Sequence, residues 1–356
     1  MPTRSGSSQR VAIVGASSLL GKELKLVLED RNFPATDFEL LDESHVAGTL
    51  TEAAGEATFI KPLDSDSLEG ARFVFFAGNS ETAAKNWEAG IRAGASVIDL
   101  TGGVPAESGA FTWIPALDAM LPAPSSVVPK SSSKAGSKIA ARDEKRPLYR
   151  SPGTGLIIAA TLSAALRELD PARVVLTFFP SVSEAGQEGV DELETQTTNL
   201  LTFHGIERRV FDAQVAFNLL TAYGPESRRK LREIREKLAR DLASYLEDRV
   251  AMPAIQFVQA PVFYGYAFSA YAEFAAGPDP AKLEAAFGAA GMKVAKKGDG
   301  PPDNVIAAGE SEIQIGLVDR DPSIANGCWM WGVADNLRLA ASNAVRIAEE
   351  LLVIPA

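Results

Sequence analysis

Short apolar runs alternate with helical segments over the first hundred residues of the chain. The apolar runs are residues 11–14, 38–41, 73–76 and 96–100. Between them, residues 22–29 and 80–92 carry helical periodicity. Strands that alternate with helices form parallel sheets with helices on both faces. The pattern therefore predicts an α/β fold built on a doubly wound parallel sheet.

The later part of the chain mixes strands and helices in a different order. The strand-like runs are residues 174–179, 255–258 and 263–274. Helical patterns cover residues 187–202, 227–246 and 333–352. The last two strands are rich in aromatic residues, for which we expect antiparallel pairing, and an open apolar face on them would form a subunit interface. The final helix is expected to open with Asp335 and Asn336.

Residues 15–21, Gly-Ala-Ser-Ser-Leu-Leu-Gly, join the first strand to the first helix. A tight turn at this place presents free N–H groups and the positive end of a helix to a pyrophosphate. Ser18 puts a Cβ where a glycine would let the backbone approach the phosphates, so an ordinary turn that binds nothing stays an open alternative. Asp42 and Glu43 follow the second strand about 20 residues later, where an acid can bond a ribose hydroxyl. Their charge would repel the extra phosphate of NADP, which favours NAD if a nucleotide binds.

Composition excludes several classes of function. The chain has 356 residues, 46% of them apolar, which is enough for a sizeable core and two domains. A formal net charge of -11 argues against nucleic-acid binding, because phosphate would be repelled over most of the surface. Two histidines and one cysteine leave little material for a zinc site, so no metal is expected.

The expected location is the cytoplasm. The single cysteine, Cys328, excludes an internal disulfide and fits a reducing compartment. The longest apolar stretch, residues 155–166, is too short to cross a membrane. Residues 1–10 have no apolar core that could serve as a signal peptide.

Residues 122–149 are rich in proline, serine, alanine and lysine, with basic residues spread along them. This composition predicts a mobile surface excursion. Its positive charge could attract an anion or an acidic partner, although a solvated loop is the simpler account.

Residues 151–155, Ser-Pro-Gly-Thr-Gly, precede an apolar run at 156–160. A Pro-Gly loop that feeds a buried helix aims the first N–H groups of the helix, and one side chain, at whatever lies in front of it. That side chain is Thr154, which could bond an anion. A threonine hydroxyl is a poor nucleophile unless a base removes its proton.

The chain resembles the aspartate-semialdehyde dehydrogenases, and most of all the Usg-type paralogues of that family, which lack the catalytic cysteine. The matching stretches are residues 14–21, 31–34, 94–99, 183–189, 216–218, 261–265 and 326–338. The resemblance implies a Rossmann-type dinucleotide-binding domain (1–150), an α+β domain for dimerisation and substrate (151–330) and a C-terminal helix that returns to the first domain (331–356). It also implies a homodimer and NAD or NADP as cofactor.

The same resemblance assigns two sets of site residues. The cofactor would contact Gly15, Ala16, Ser17, Ser18, Leu19, Leu20, Gly21, Asp42, Glu43, Gly78 and Asn336. The substrate-like pocket would contain Gly153, Thr154, Glu226, Arg229, Gln259 and Tyr266.

The sequence departs from the family at each catalytic position. Family members reduce aspartyl phosphate with NADPH, using a cysteine nucleophile, a histidine base and arginines that hold the substrate. The nucleophile position carries Thr154, the histidine position carries Tyr266, and the arginine that grips the substrate carboxylate aligns with Gln259. A supporting glutamine aligns with Pro180, and Glu184 replaces the first glycine of the turn that follows.

Two further family arginines are missing, and one charged pair is kept in kind. The phosphate-binding arginine falls near Pro105, and the arginine that binds the NADP phosphate aligns with His45, which again favours NAD. The family's glutamate and lysine at the start of a charged helix correspond to Glu226 and Arg229. A solvated surface pair is the alternative for these two residues.

Loss of nucleophile and base together removes nearly all the power of such a catalytic unit. We therefore expect no catalytic residue, and a dimeric, lapsed paralogue that binds a nucleotide or a small anion, or no cofactor at all. One alternative is an active NAD(P)-dependent dehydrogenase or reductase of amino-acid biosynthesis, in which Tyr266 is a general acid and Thr154 holds a carbonyl oxygen. A packed aromatic is the simpler role for Tyr266. Another alternative is an interaction subunit that works through residues 122–149 or the aromatic strands.

Overall fold

The computed structural model describes residues 9–46, 48–53, 56–64, 66–121, 147–247, 249–277 and 279–353. The chain divides into two compact units. The first consists of Met1–Pro115, Ala135–Gly153 and Ala340–Ala356, and the second of Ala116–Lys134 and Thr154–Leu339. Most of the basic stretch at 122–149 lies outside the described residues, so its expected role stays a prediction.

The first unit is built on a parallel sheet. Its strands are β1 (Gln9–Val14), β2 (Ala35–Asp42), β3 (Leu50–Ala53), β4 (Glu56–Phe59), β5 (Lys61–Pro62), β6 (Phe73–Phe76), β7 (Ser96–Asp99), β8 (Phe111–Thr112) and β9 (Leu148–Arg150), and its helices are α1 (Leu19–Asp30) and α2 (Ser80–Arg92). Among the described residues the sheet has the order β5-β2-β1-β6-β7-β9-β8, and each neighbouring pair is parallel. Strands β3 and β4 form a separate antiparallel hairpin.

Both faces of this sheet are covered, which explains why β1 is a continuous apolar run. Val11 and Ile13 belong to one core cluster, whereas Ala12 and Val14 belong to another on the opposite face. Alternate residues of a strand point to opposite faces, so a strand covered on both sides needs apolar residues throughout. The predicted α/β fold with a doubly wound parallel sheet is confirmed.

The second unit contains a mixed sheet with helices. Its elements are α3 (Thr154–Leu166), β10 (Pro171–Pro180), α4 (Gly186–Leu201), α5 (Leu231–Leu246), β11 (Ala254–Phe257), β12 (Tyr266–Phe274), α6 (Pro280–Ala289), β13 (Lys293–Val294), α7 (Asn304–Ala307), β14 (Gln314–Ile315), β15 (Asp319–Arg320), β16 (Gly327–Ala334) and the start of α8 (Asn336–Val353). The sheet order is β11-β10-β12-β16-β14-β13, with β15 beside β16. This unit confirms the expected second α+β domain.

The predicted pairing of the aromatic-rich strands is half right. Strand β12 pairs antiparallel with both β10 and β16, as expected. Strand β11 instead runs parallel to β10, so the antiparallel expectation for residues 255–258 is wrong. Helices α4 and α5 lie between β10 and β11 in the chain, and such a crossover returns the chain to the end of the sheet from which it left.

Two predicted helix starts are also corrected. Helix α5 begins at Leu231, four residues later than the periodicity indicated, because the preceding backbone is held by other acceptors: the N–H of Glu226 donates to Asp212 Oδ2 at 2.8 Å. Helix α8 begins at Asn336, since residues 333–334 still belong to β16. Asp335 precedes the helix and caps it, because its Oδ1 accepts from the N–H groups of Leu337 and Arg338.

Candidate functional site

In the first unit, the turn after β1 is held together by contacts between glycines. Gly15 has φ +86°, and a Cβ there would lie 2.3 Å from the Cα of Gly78. A Cβ on Gly21 would lie 2.2 Å from the carbonyl oxygen of Gly15. These glycines are therefore required by close packing of the turn against its neighbours, whether or not a ligand binds.

Most N–H groups of this turn already have intramolecular acceptors. The N–H groups of Gly15 and Ala16 donate to the carbonyl of Leu41, and that of Ser18 donates to Gly15. Ser18 caps α1, because its Oγ accepts from Gly21 N at 2.8 Å and donates to the carbonyl of Ala77 at 2.8 Å. Ser18 is thus a structural cap, which explains a serine where a glycine was expected.

The N–H groups of Leu19 and Leu20 donate to no acceptor within the described residues. They form the first turn of α1, where backbone donors and the helix dipole together favour an anion. Of the predicted cofactor loop, residues 15–21, these two amides are the donors that remain for a phosphate.

Asp42 lies at the end of β2 and closes back onto the turn. Its Oδ2 accepts from Ser17 N at 2.9 Å and from Ser17 Oγ at 2.6 Å, and its Oδ1 accepts from Glu43 N at 2.9 Å. Glu43 accepts from Thr82 Oγ1 at 3.0 Å at the start of α2, and its Oε2 lies 3.6 Å from Nδ1 of the exposed His45. The structure therefore brings the predicted acids to the turn.

In the second unit, Thr154 begins α3, a helix whose residues are all buried. The Thr154 side chain is 2% exposed, and its Oγ1 donates to the backbone carbonyl of Asn336 at 2.5 Å. The hydroxyl proton is therefore held by a carbonyl oxygen that cannot remove it. This contact ties the start of α3 to the start of α8.

Asn336 is the centre of a buried hydrogen-bond network. Its Oδ1 accepts from Gly265 N at 2.9 Å and from Ser183 Oγ at 3.3 Å. Its Nδ2 donates to Ser183 Oγ at 3.0 Å and to Glu184 Oε1 at 2.8 Å. The amide has two donors and one oxygen with two lone pairs, so these contacts use its full capacity.

The side-chain amide of Gln259 is also fully engaged. Its Nε2 donates to the carbonyls of Pro180 and Ala260, each at 2.9 Å, and its Oε1 accepts from Tyr223 Oη at 2.6 Å. At 1% exposure, Gln259 fastens the end of β10 to its neighbours and presents no donor to a ligand.

Tyr266 starts β12 and is 3% exposed. Its ring lies edge-on to Phe178, and a Cβ on Gly155 would come within 2.7 Å of its hydroxyl, so the ring tip touches the first turn of α3. The hydroxyl makes no hydrogen bond within the described part of the chain. Burial, assisted by the nearby Glu184, raises the pKa of Tyr266 well above its usual value. The phenol therefore stays protonated at neutral pH and can donate a hydrogen bond, but it is no base.

Glu184 stands in the short helical turn before α4 and is exposed to solvent. Protein nevertheless surrounds the carboxyl, and the resulting loss of hydration raises its pKa. The hydrogen bond from Asn336 and the positive charge of Arg229 oppose that rise.

Arg229 and Glu226 lie ahead of α5, not on it, and they do not pair with each other. Glu226 is exposed, and its carboxylate has no hydrogen bond or ion pair among the described residues. The Arg229 guanidinium likewise has none there, and its Nε is buried. Its charge acts on Glu184, Tyr223 and Tyr266. A cavity of about 510 Å³ beside α4 is lined in part by Arg229.

Sequence reasoning missed Tyr223 in this cluster. It lies in an irregular segment, and it reaches the other residues through Gln259, 36 positions along the chain. Burial raises its pKa above the usual range. No local pattern marks such a residue.

The remaining predicted features are located as follows. Cys328 lies on β16 and is buried, and burial raises its pKa to about 11, so it is not an activated thiolate. Within the described ranges, no cluster of histidine, cysteine and carboxylate residues could hold a metal ion. Over the same ranges, no helix combines the length and the apolar composition needed to span a bilayer.

Comparison with known proteins places these features in a family. The semialdehyde dehydrogenase NAD binding domain matches residues 10–123, and the semialdehyde dehydrogenase dimerisation domain matches residues 162–339. A USG-1 protein homolog from Pseudomonas aeruginosa is 30% identical over 347 residues, which are 96% of this chain and 97% of that protein. The chain belongs to the semialdehyde dehydrogenase family. The predicted resemblance, including the closeness to Usg-type proteins, is confirmed.

Named enzymes of the semialdehyde dehydrogenase family are similar over the same length. Aspartate-semialdehyde dehydrogenase 2 of Vibrio cholerae is 28% identical over 345 residues, 96% of this chain and 97% of the enzyme. The crystal structure of aspartate semialdehyde dehydrogenase II complexed with ASA, also from Vibrio cholerae, superposes with a TM-score of 0.80 at 26% identity and covers 97% of this chain and 98% of that one. The two matched domains indicate a nicotinamide cofactor and a homodimer.

Proposed function

We propose that this member of the semialdehyde dehydrogenase family is catalytically lapsed and acts as a dimeric protein that binds NAD and a small ligand. The observation that carries the proposal is the state of Thr154, whose hydroxyl is buried and donates its proton to the carbonyl of Asn336. A covalent intermediate requires a nucleophile with a base in reach, and a carbonyl is not one.

The residues around Thr154 support the same conclusion. Tyr266 stands where the family has its histidine, and its raised pKa keeps the phenol neutral. Gln259 stands where the family has the substrate-binding arginine, and its amide is bonded on both sides. Of the residues predicted for the substrate-like pocket, Arg229 is the cationic one, and it has no hydrogen bond or ion pair in the described ranges, so we assign the small-ligand site to it.

The first unit fits a dinucleotide. The N–H groups of Leu19 and Leu20 would hold the pyrophosphate, and Asp42 Oδ1 would accept from a ribose hydroxyl, since it accepts one hydrogen bond, from Glu43 N, and keeps a further lone pair. When bound, the nicotinamide would supply hydride chemistry. The Glu43 carboxylate would repel a 2′-phosphate, and His45 stands where the family resemblance implies an arginine, so we propose NAD rather than NADP.

An activity assay tests the lapse directly. Pure protein is incubated with aspartate semialdehyde, phosphate and either NAD or NADP, with the Vibrio cholerae relative assayed alongside. We expect no cofactor reduction by this chain. Turnover that Thr154→Ala abolishes would overturn the proposal. Thr161→Ala is the matched control, because Thr161 is a buried threonine of the same helix that donates to its own turn at Ile157.

Calorimetric titration tests the cofactor assignment separately. We expect NAD to bind more tightly than NADP, and Asp42→Asn to weaken NAD binding. Asp37→Asn changes charge equally on the same strand and should leave binding unchanged. Equal affinity for NAD and NADP would refute the preference, and binding of neither would refute the cofactor site.

A reductase without a covalent intermediate is the second candidate, favoured by the Tyr266 hydroxyl. It has no hydrogen-bond partner in the part of the chain that the structure describes, stays protonated and touches the first turn of α3, so it could donate to a carbonyl oxygen. A panel of small aldehydes with NADH or NADPH would reveal such activity. Its loss in Tyr266→Phe, with Tyr264→Phe as the exposed control, would establish it.

For the homodimer, we propose the uncovered face of the second sheet as the interface. The strands align one row of side chains on that face. The row consists of Val175, Thr177, Phe179, Ser269, Tyr271, Trp329 and Trp331. Trp329 is 46% exposed and packs on Tyr271, whose hydroxyl is buried and has no hydrogen-bond partner among the residues described. A second copy would cover this aromatic surface.

Sedimentation velocity tests the interface. Trp331→Glu should convert the dimer to monomer, because it places a charge in the middle of the apolar face. Phe203→Glu, at a side chain that is 98% exposed and outside the row, is the control that should stay dimeric. A dimer that survives Trp331→Glu would point to another surface.

A further inference from the structure

The cavity beside α4 is lined mainly by charged side chains. Its volume of about 510 Å³ is in the range of pockets that bind small molecules. The lining consists of four acids, three arginines, a threonine and a valine: Glu188, Asp191, Glu192, Glu207, Arg209, Arg228, Arg229, Thr195 and Val210. Such a lining suits a charged ligand rather than an apolar one.

Buried hydrogen bonds hold the walls of this cavity in place. Glu192, on α4, is 7% exposed and accepts from the backbone N–H groups of Val210 and Phe211. Ser227 is 3% exposed. Its Oγ donates to the carbonyl of Val210 at 2.7 Å and accepts from the N–H of Arg229 at 3.3 Å. The backbone before α5 is thus tied to α4 through residues 210–211, so the fold fixes the two walls relative to each other.

Some of the lining charges are already used within the protein. The Glu192 carboxylate is occupied by the backbone donors that it accepts from. Glu207 and Arg209 form an ion pair, with Oε2 of the one 2.6 Å from Nη2 of the other. The charges that remain for a ligand are therefore those of two acids on α4 and of two arginines before α5.

These remaining charges are opposite and do not pair with each other. Glu188 and Asp191 lie three residues apart on one face of α4. Asp191 accepts one hydrogen bond, from Gln187 Nε2 at 2.8 Å, and the Glu188 carboxylate accepts none in the described ranges. The guanidinium groups of Arg228 and Arg229 also have no hydrogen bond or ion pair there, and Nε of Arg229 is buried. A ligand with charge of one sign would be attracted by one wall and repelled by the other, whereas a ligand with both signs is attracted by both.

We propose that this cavity binds a small zwitterion, whose carboxylate is held by Arg228 and Arg229 and whose ammonium group is held by Glu188 and Asp191. The proposal rests on the small-ligand site assigned to Arg229 and names the class of its ligand. A guanidinium presents parallel N–H donors that match a carboxylate, and bonds between charged partners are the stronger kind. An ammonium group between Glu188 and Asp191 also relieves the repulsion between two like charges on one helix face.

Three matched pairs of probes test this class of ligand. They are glycine and acetate, 4-aminobutyrate and butyrate, and 6-aminohexanoate and hexanoate, in which the amino group is present or absent at increasing distance from the carboxylate. Each is titrated calorimetrically into the full-length protein at low ionic strength, where screening is small. In at least one pair the amino compound should bind about tenfold more tightly, since hydrogen bonds to a charged group are worth about that factor.

Variants at exposed positions locate the two charged contacts. The double variant Glu188→Gln with Asp191→Asn should bind both members of each pair equally. Glu194→Gln changes an exposed acid of α4 outside the lining and should keep the wild-type preference. Arg229→Gln should weaken every probe that carries a carboxylate.

The outcomes separate this inference from the proposed function. Equal binding within every pair by the wild type, still weakened by Arg229→Gln, would refute the zwitterion and leave the Arg229 site in place. A preference that survives in the double variant would also refute it, because the ammonium group would then be bound elsewhere. Failure of every probe to bind would overturn the Arg229 site and this inference with it.

Discussion

Replacing Asn336 with alanine should strongly lower the free energy of unfolding of the second unit. The side chain is 2% exposed and makes hydrogen bonds to Gly265, Ser183 and Glu184. In Asn336→Ala the N–H of Gly265 is left buried without an acceptor, which costs about 1 to 3 kcal/mol. Loss of the remaining bonds adds about 1 kcal/mol. The expected loss is about 3 kcal/mol.

Thermal unfolding measures this loss. For a domain of about 150 to 250 residues, each kcal/mol lowers Tm by about 2 to 4 °C, so Asn336→Ala should melt roughly 10 °C below the wild type. Asn218→Ala is the control. Asn218 is exposed, and its side chain makes a single bond to the carbonyl of Gln214, so its Tm should move by less than about 2 °C.

The aspartate variant sharpens the test, because Asn336→Asp keeps the shape of the side chain and replaces the Nδ2 donor with a carboxylate oxygen. It would set two carboxyl groups against each other where Asn336 Nδ2 now donates to Glu184 Oε1 at 2.8 Å. One of the two should then take up a proton, with a raised folded-state pKa. When the pKa of an acid is higher in the folded than in the unfolded protein, its contribution to stability is fully present below the unfolded-state pKa. That contribution is lost as the pH rises through the folded-state pKa. Asn336→Asp should therefore be weakest at alkaline pH and recover on acidification. A Tm of Asn336→Ala within 2 °C of the wild type would refute the network as a source of stability.

Three further outcomes are expected. Gly15→Ala should unfold the first unit or lower its Tm severely, since φ at Gly15 is +86° and the new Cβ would lie 2.3 Å from the Cα of Gly78. Thermal unfolding followed by circular dichroism checks this, and a wild-type Tm would contradict it. Glu184→Gln should melt above the wild type at pH 8 and match it at acid pH. The raised folded pKa of Glu184 costs stability only once the unfolded carboxyl has ionised, so an equal difference at both pH values would argue against that cause. Cys328 should resist a thiol reagent in the native protein below about pH 10, because burial raises its pKa to about 11. The same cysteine should react rapidly in denaturant, and fast reaction in the native protein would contradict its burial.

The fold was predictable where the burial of an element determines its pattern of apolar residues. Residues 11–14 are covered on both faces, so their apolar run identifies β1 without any partner. The direction of β11 was not predictable, because an apolar pattern is the same whether a strand runs parallel or antiparallel to its neighbour. The start of α5 was missed because the backbone of residues 227–230 is held outside the helix: Ser227 N donates to the carbonyl of Gly224, and Arg229 N donates to Ser227 Oγ.

The candidate site was predictable as a set of positions, and not as a set of bonds. Family resemblance locates Thr154, Gln259 and Tyr266. The sequence does not reveal that the side chains of the first two are hydrogen-bonded within the protein, whereas the Tyr266 hydroxyl has no partner in the described ranges. The bond from Tyr223 to Gln259 joins residues 36 positions apart, and the bond from Asn336 to Glu184 joins residues 152 positions apart. Such contacts depend on tertiary packing, which local composition does not encode.

The contact between Gly15 and Gly78 has a consequence for sorting related proteins. Since each glycine leaves room for the backbone of the other, selection for folding alone keeps both in place. A lineage could therefore lose its nucleotide and still carry an intact glycine signature for as long as the sheet survives. The decay of cofactor binding would be recorded elsewhere, at the end of β2 and in the first turn of α1, and those are the positions at which binding and non-binding relatives should diverge.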